Sequence, residues 1–327
     1  MNLGPAADPF RFHGGRLAAA AAHFHDAPTP WVDLSTGISP LAYPIADVDP
    51  SLWCRLPEPE QLGELEAAAA HAFGVNNPAE IVAVPGSDIA IRLLGTLFSS
   101  QCSAMLTPIY SGHRAAWPDA AEISLAQADD HDLLILANPN NPDGRVIATE
   151  RLRQVQAQLI VDEAFADSDP ATSLLPDRGD AIVLRSFGKF FGLAGLRLGF
   201  VIADISVVRR LRALLGDWPI SGMTIAVGLA AYRDQQWQQD HRQRLQTWAT
   251  RLDQLLRDND LDVVGGTSLF RLAAHDNARD LFEYLGKSGI LVRPFEANSQ
   301  QLRFGLPKDE TAWDRLSIAL NNWRENR

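Results

Sequence analysis

The chain has 327 residues, 46% hydrophobic and 21% charged, which is ordinary globular material and more than one core usually fills. A net charge of −11 with no Lys/Arg run argues against nucleic acid and anionic membranes as partners, and no stretch approaches the ~20 apolar residues of a membrane span. Two cysteines, Cys54 and Cys102, are too few for a disulfide framework or a Cys-rich metal site, and with no secretory leader in evidence a cytoplasmic chain is expected.

Taken in order, short apolar runs bounded by Gly and Pro predict buried strands at 81–84, 104–106, 133–137, 159–161, 181–184 and 198–202. Between them lie helical patterns at 60–73, closed by Gly74, then at 88–98 and 150–158. Strand–helix alternation predicts a mainly parallel α/β sheet. Beyond about residue 205 the texture changes: long helical stretches at 207–215 and 225–258, strands near 268–272, 290–293 and 301–304, and a closing helix at 310–323. The expected organisation is a large domain at 35–210, linking helices at 211–257 and a small α+β domain at 258–327, with residues 1–34 packing on the small domain.

Four signals sit at strand ends, where open α/β sheets bind ligands. Pro85-Gly86-Ser87-Asp88 follows a strand and opens a helix; its amides and hydroxyl suit an anion, although Ser87 is equally an ordinary helix cap. Asn138–Gly144 is a turn cluster that either only connects elements or offers the Asn141 amide to a ligand oxygen. Asp162 ends an apolar strand, where a carboxylate needs a partner: a salt bridge, or a protonated ring nitrogen. Lys189 stands among Phe187, Phe190 and Phe191; desolvation there favours a nucleophilic neutral amine, whereas most lysines simply reach solvent.

Asn141, Asp162, Lys189 and, eight residues on, Arg197 appear in the order found in the aspartate-aminotransferase fold family of pyridoxal-phosphate (PLP) enzymes, and the resemblance covers nearly the whole chain. It implies the PLP-dependent transferase fold and PLP as cofactor. By position, Lys189 resembles the Schiff-base lysine, Asp162 the partner of the pyridine nitrogen, Asn141 the donor to the ring 3-oxygen, and Tyr110 the aromatic that stacks on the ring. Gly86, Ser87, Ser186 and Arg197 resemble the cofactor's phosphate cup, and Asp88 is counted with the cofactor-binding residues. Arg303 resembles the arginine that forks onto a substrate carboxylate, a match of planar donor to planar acceptor. Lys189, Asp162 and Tyr110 are the implied catalytic groups.

Within that family the chain is similar to histidinol-phosphate aminotransferases and, more so, to threonine-phosphate decarboxylases of cobalamin biosynthesis. His13-Gly14-Gly15 and Asp33–Pro40 resemble blocks of the decarboxylases, as does Asp162-Glu163-Ala164-Phe165, where aminotransferases carry tyrosine at the last position. Phe165 cannot donate to the ring oxygen. The resemblance implies decarboxylation of a phosphorylated amino acid by a homodimer, with His13, Arg293, Arg11 and Arg16 as candidates for the substrate phosphate. An amino-acid aminotransferase is the alternative; a PLP-binding DNA regulator fits the acidic charge poorly. Two departures stand out: Gly188 where many relatives have Ser or Thr, so that Ser186 is left to serve the phosphate, and Leu56 where many have tyrosine.

Overall fold

The computed structural model describes residue 10, residues 14–45 and residues 48–326. They form two compact units, one of residues 42–45, 48–141 and 145–242, the other of residue 10 and residues 14–41, 142–144 and 243–326.

The first unit is built on a seven-stranded sheet. Its strands are β1 (Ile81–Val84), β2 (Ser103–Leu106), β3 (Ala121–Ile123), β4 (Leu133–Ala137), β5 (Gln158–Asp162), β6 (Ile182–Ser186) and β7 (Gly199–Ile202), in the order β1-β7-β6-β5-β4-β2-β3. Only β7 runs antiparallel to its neighbours. Six carboxyl ends therefore share one edge, and the four sequence signals together with Tyr110 sit on five of them. The middle strands are apolar throughout because both faces are covered: every residue of β4 is buried. Helix Ser87–Leu97 lays Ala90, Ile91 and Leu94 on this sheet beside Val84, Ile135 and Leu184. Each large side chain buried this way contributes about 1.5–3 kcal/mol.

Three expectations are corrected here. Strand β3 escapes the apolar-run criterion because it is an exposed edge. The helix expected at 150–158 is a single turn, Thr149–Leu152, since Gln158 already opens β5. The helical stretch 225–258 is two helices, Gly222–Arg233 and Gln235–Arg257; Asp234 breaks it, and its carboxylate takes the Trp237 amide at 3.0 Å.

The second unit holds a four-stranded antiparallel sheet in the order 293–294, 301–305, 270–274, 262–267. The strand expected near 268–272 is thus the return arm of a hairpin whose first arm, Asp262–Thr267, reads weakly because it carries Gly265 and Gly266. Val32–Asp33 pairs in parallel with Ile290–Leu291, which ties the early chain to this unit. Helix Glu310–Glu325 closes it, with Asp309 capping the Ala312 amide at 2.9 Å.

Candidate active site

In the first unit, register carries most of the placement. Ala137 pairs with Asp162, and Asp162 with Leu184; Ser186 pairs with Gly199, and Gly199 with Val84. Asp162, Ser186 and the Gly86-Ser87 turn therefore lie along one sheet edge, with Lys189 one short turn beyond Ser186.

Asp162 is 6% exposed. Its Oδ1 accepts the Ala164 amide at 3.0 Å, and its Oδ2 is 2.9 Å from Nε2 of His113, a fully buried histidine. Two partners leave an ionised carboxylate with accepting capacity for a third. His113 follows Tyr110 in the short helix Ser111–Ala116, its amide donating to the Tyr110 carbonyl, and the two rings meet edge to face at 6.1 Å. The sequence reading missed His113. The signal available is its spacing of three from Tyr110, which puts both rings on one side of a turn.

Lys189 stands out for a reason the motifs did not use. The chain has three lysines, and Lys287 and Lys308 are exposed while Lys189 is half-buried near a strand end. Its Nζ lies 5.8 Å from the centre of the Phe165 ring, itself buried.

The anion-binding signals converge. Gly86 has φ +89°, and a Cβ there would lie 2.7 Å from Nη2 of Arg197, so the guanidinium closes over the start of helix Ser87–Leu97. A Cβ on Gly199 would meet the Ser87 amide nitrogen at 2.8 Å, which shows how closely the turn crosses the sheet edge beside Ser186. Gly188 is explained by packing: a Cβ would sit 2.6 Å from the Ala194 Cα, so Ser or Thr does not fit this backbone. An anion-accepting turn, an arginine over it, a half-buried amine and an anchored carboxylate are the donor and acceptor set that PLP requires, and these residues fit it.

The asparagines of the turn separate by burial. Asn138 is buried and bonds Ile147 and Thr172, and Asn140 is buried with its amide on the Pro108 carbonyl at 2.8 Å. Both hold the turn in shape; Asn141 is the half-buried member. Asp88 turns its carboxylate sideways, to the Tyr110 hydroxyl at 3.2 Å and to Arg92 at 3.1 Å. Burial first, and then Asp88, push the Tyr110 hydroxyl up to about 12.

In the second unit Arg293 and Arg303 are buried register partners on adjacent strands. Arg303 donates to the Ser35 carbonyl at 3.1 Å and lies 5.0 Å from the Phe270 ring centre; Arg293 donates to the Phe10 carbonyl. Burial, with the Arg293 charge second, draws Arg303 down to about 9. Arg293, Arg16, Gly14 and Ser35 border a shallow crevice too tight to admit a water. His13 and Arg11 lie outside the described residues. Leu56, where many relatives carry tyrosine, is 64% exposed.

Comparison with known proteins completes the picture. Residues 118–319 match the family described as aminotransferase class I and II. A threonine-phosphate decarboxylase of Pseudomonas aeruginosa is 39% identical across 96% of this chain and 98% of its own length. One from a Sinorhizobium species is 37% identical across 94% of this chain and 97% of its own. Among solved structures, histidinol-phosphate aminotransferase from Sinorhizobium meliloti, in complex with pyridoxal-5'-phosphate, superposes with a TM-score of 0.79 over 98% of this chain and 95% of that one at 20% identity, a likeness of fold.

Proposed function

This chain belongs to the class I and II aminotransferase family, and from that premise we propose that it is a PLP-dependent lyase that decarboxylates L-threonine O-3-phosphate to (R)-1-aminopropan-2-ol O-phosphate. The observation that carries the substrate is the likeness, at 37–39% identity over nearly the full length, to proteins named threonine-phosphate decarboxylase.

When bound, the cofactor supplies a protonated ring that accepts the electron pair of a breaking Cα bond. The remaining work falls to the chain. Lys189 bonds the cofactor through Nζ and returns a proton to the substrate Cα. Asp162, anchored by Ala164 and His113, keeps the proton on the pyridine nitrogen. Asn141 donates to the ring 3-oxygen, alone among side chains since Phe165 has no hydroxyl. Tyr110 stacks on the ring. The Gly86 and Ser87 amides, the Ser186 hydroxyl and Arg197 hold the cofactor phosphate; helix N-terminus and guanidinium both favour the anion.

Which Cα bond breaks depends on which stands perpendicular to the ring, so the fold by itself serves decarboxylation or transamination equally. For decarboxylation the carboxylate must stand there, and Arg303 is the fork assigned to it. Arg293 and His13 are assigned to the substrate phosphate. The resemblance further supports a cytoplasmic homodimer working in cobalamin biosynthesis; none of the described helices is long and apolar enough to cross a membrane. Incubating the PLP-loaded protein with threonine phosphate tests the reading. Release of CO2 with the aminopropanol phosphate as product is expected; a keto acid formed with an amino acceptor would establish the aminotransferase instead.

A further inference from the structure

By sequence, Asp88 is counted with the cofactor-binding residues, directly after the Gly86-Ser87 turn of the phosphate cup. A carboxylate aimed at a phosphate would oppose its binding. The side chain goes elsewhere. Oδ2 meets Arg92, one turn along the same helix, and Oδ1 accepts the hydroxyl of Tyr110, which arrives from the loop after β2. The slot for that contact depends on a missing side chain: a Cβ on Gly112 would lie 2.3 Å from Tyr110 Cε1 and 3.0 Å from Asp88 Oδ1. Burial and the Asp88 charge keep the phenol protonated, hence a donor, up to about pH 12.

We propose that Asp88 is a positioning residue: its carboxylate fixes the plane of the Tyr110 ring through the phenol hydroxyl, with Gly112 holding the slot open. This rests on the reading of Tyr110 as the ring that stacks on PLP. A stacking face works only when its plane is set before the cofactor arrives, and a loop tyrosine held at its Cα alone turns about two side-chain torsions. Tethering the far end of the ring removes that freedom. A carboxylate in the first turn of a helix also stabilises the helix through its dipole, but that effect would not need Tyr110.

The test is a double-mutant cycle on the full chain with two readouts, PLP affinity and the titration of the Tyr110 Cζ by NMR before cofactor is added. The chain has four tyrosines, so Tyr110→Phe assigns the resonance. Asp88→Ala and Tyr110→Phe should each weaken PLP binding about five-fold, the scale of one hydrogen bond, and the double variant no further. Asp88→Asn, whose carbonyl still accepts, should restore most of the affinity lost in Asp88→Ala, and Arg92→Ala should leave it unchanged. Without cofactor, the Tyr110 resonance should hold to about pH 11 in the parent chain and titrate below that in Asp88→Ala. Losses that multiply in the double variant, or a Tyr110 titration unmoved by Asp88→Ala, would overturn the proposal. Should the parent chain bind no PLP, the proposed function fails, while the titration still decides whether Asp88 holds Tyr110.

Discussion

Asp162 and Glu163 are neighbours at the end of one strand, and alternation turns them to opposite faces of the sheet. Glu163 enters a closed network. Its carboxylate takes the Ser173 hydroxyl at 2.5 Å, the Leu174 amide at 2.7 Å and Arg185 at 2.9 Å, with no exposure. Arg185 also pairs with Asp167 and lies 4.5 Å from the Phe73 ring centre. Burial raises the Glu163 pKa despite Arg185, while Asp167 and Glu163 raise that of Arg185 against its burial. Asp162 is instead held by the Ala164 amide and the His113 imidazole. One carboxylate is thus neutralised inside the protein and locks β5 to β6; the other is held in place but left able to take a positive partner. A strand end that looks like a run of two acids divides into a structural half and a chemical half.

Substitutions should separate those halves. The largest effect on chemistry is expected from Asp162→Asn: kcat falls about 10²–10³-fold, the scale of losing one preorganised electrostatic contact, while the melting temperature changes little. Glu163→Ala should do the reverse, strongly lowering the melting temperature because a buried cation is left short of a partner, at about 3–5 kcal/mol, with kcat near normal in the folded fraction at low temperature. If Glu163→Ala abolished chemistry in folded protein, or Asp162→Asn only destabilised it, the division would be wrong. His113→Phe keeps the ring volume and removes the hydrogen bond to Asp162. It should lower kcat about ten-fold with the cofactor still bound, as expected for one charge-assisted contact.

The smallest effect concerns pH. A phenol whose pKa is raised from about 10 when unfolded to about 12 stabilises the fold fully below pH ~10 and loses that contribution as pH climbs toward 12. Thermal stability should therefore fall over this window, and less steeply in Tyr110→Phe. A parallel decline in the two would contradict the placement of that hydroxyl.

The sheet was legible because its strands are short apolar runs that stop at polar punctuation, and parallel strands covered on both faces have that texture. Asp162 and the Gly86-Ser87 turn were legible as residues for the same reason, each bringing the first polar group after such a run, and Lys189 follows closely behind another, after Arg185 and Ser186. His113 was not, because its burial is set by contact with a strand 49 residues away, and its spacing of three from Tyr110 is a weak local mark. Edge strand β3 and the break at Asp234 were missed because one carries no apolar run and the other is a single capping residue between two good helical patterns. Gly188 looked like a lost phosphate contact, and only the backbone of Ala194 shows why a larger residue is excluded.

The central claim is a covalent bond between the cofactor and one amine, and the chain offers only three lysines to test it. Borohydride reduction of the PLP-loaded protein, followed by peptide mapping, should place a single stoichiometric adduct on Lys189, lost in Lys189→Ala. An adduct on Lys287 or Lys308 with Lys189 unmodified, or no adduct at saturating cofactor, would contradict the account.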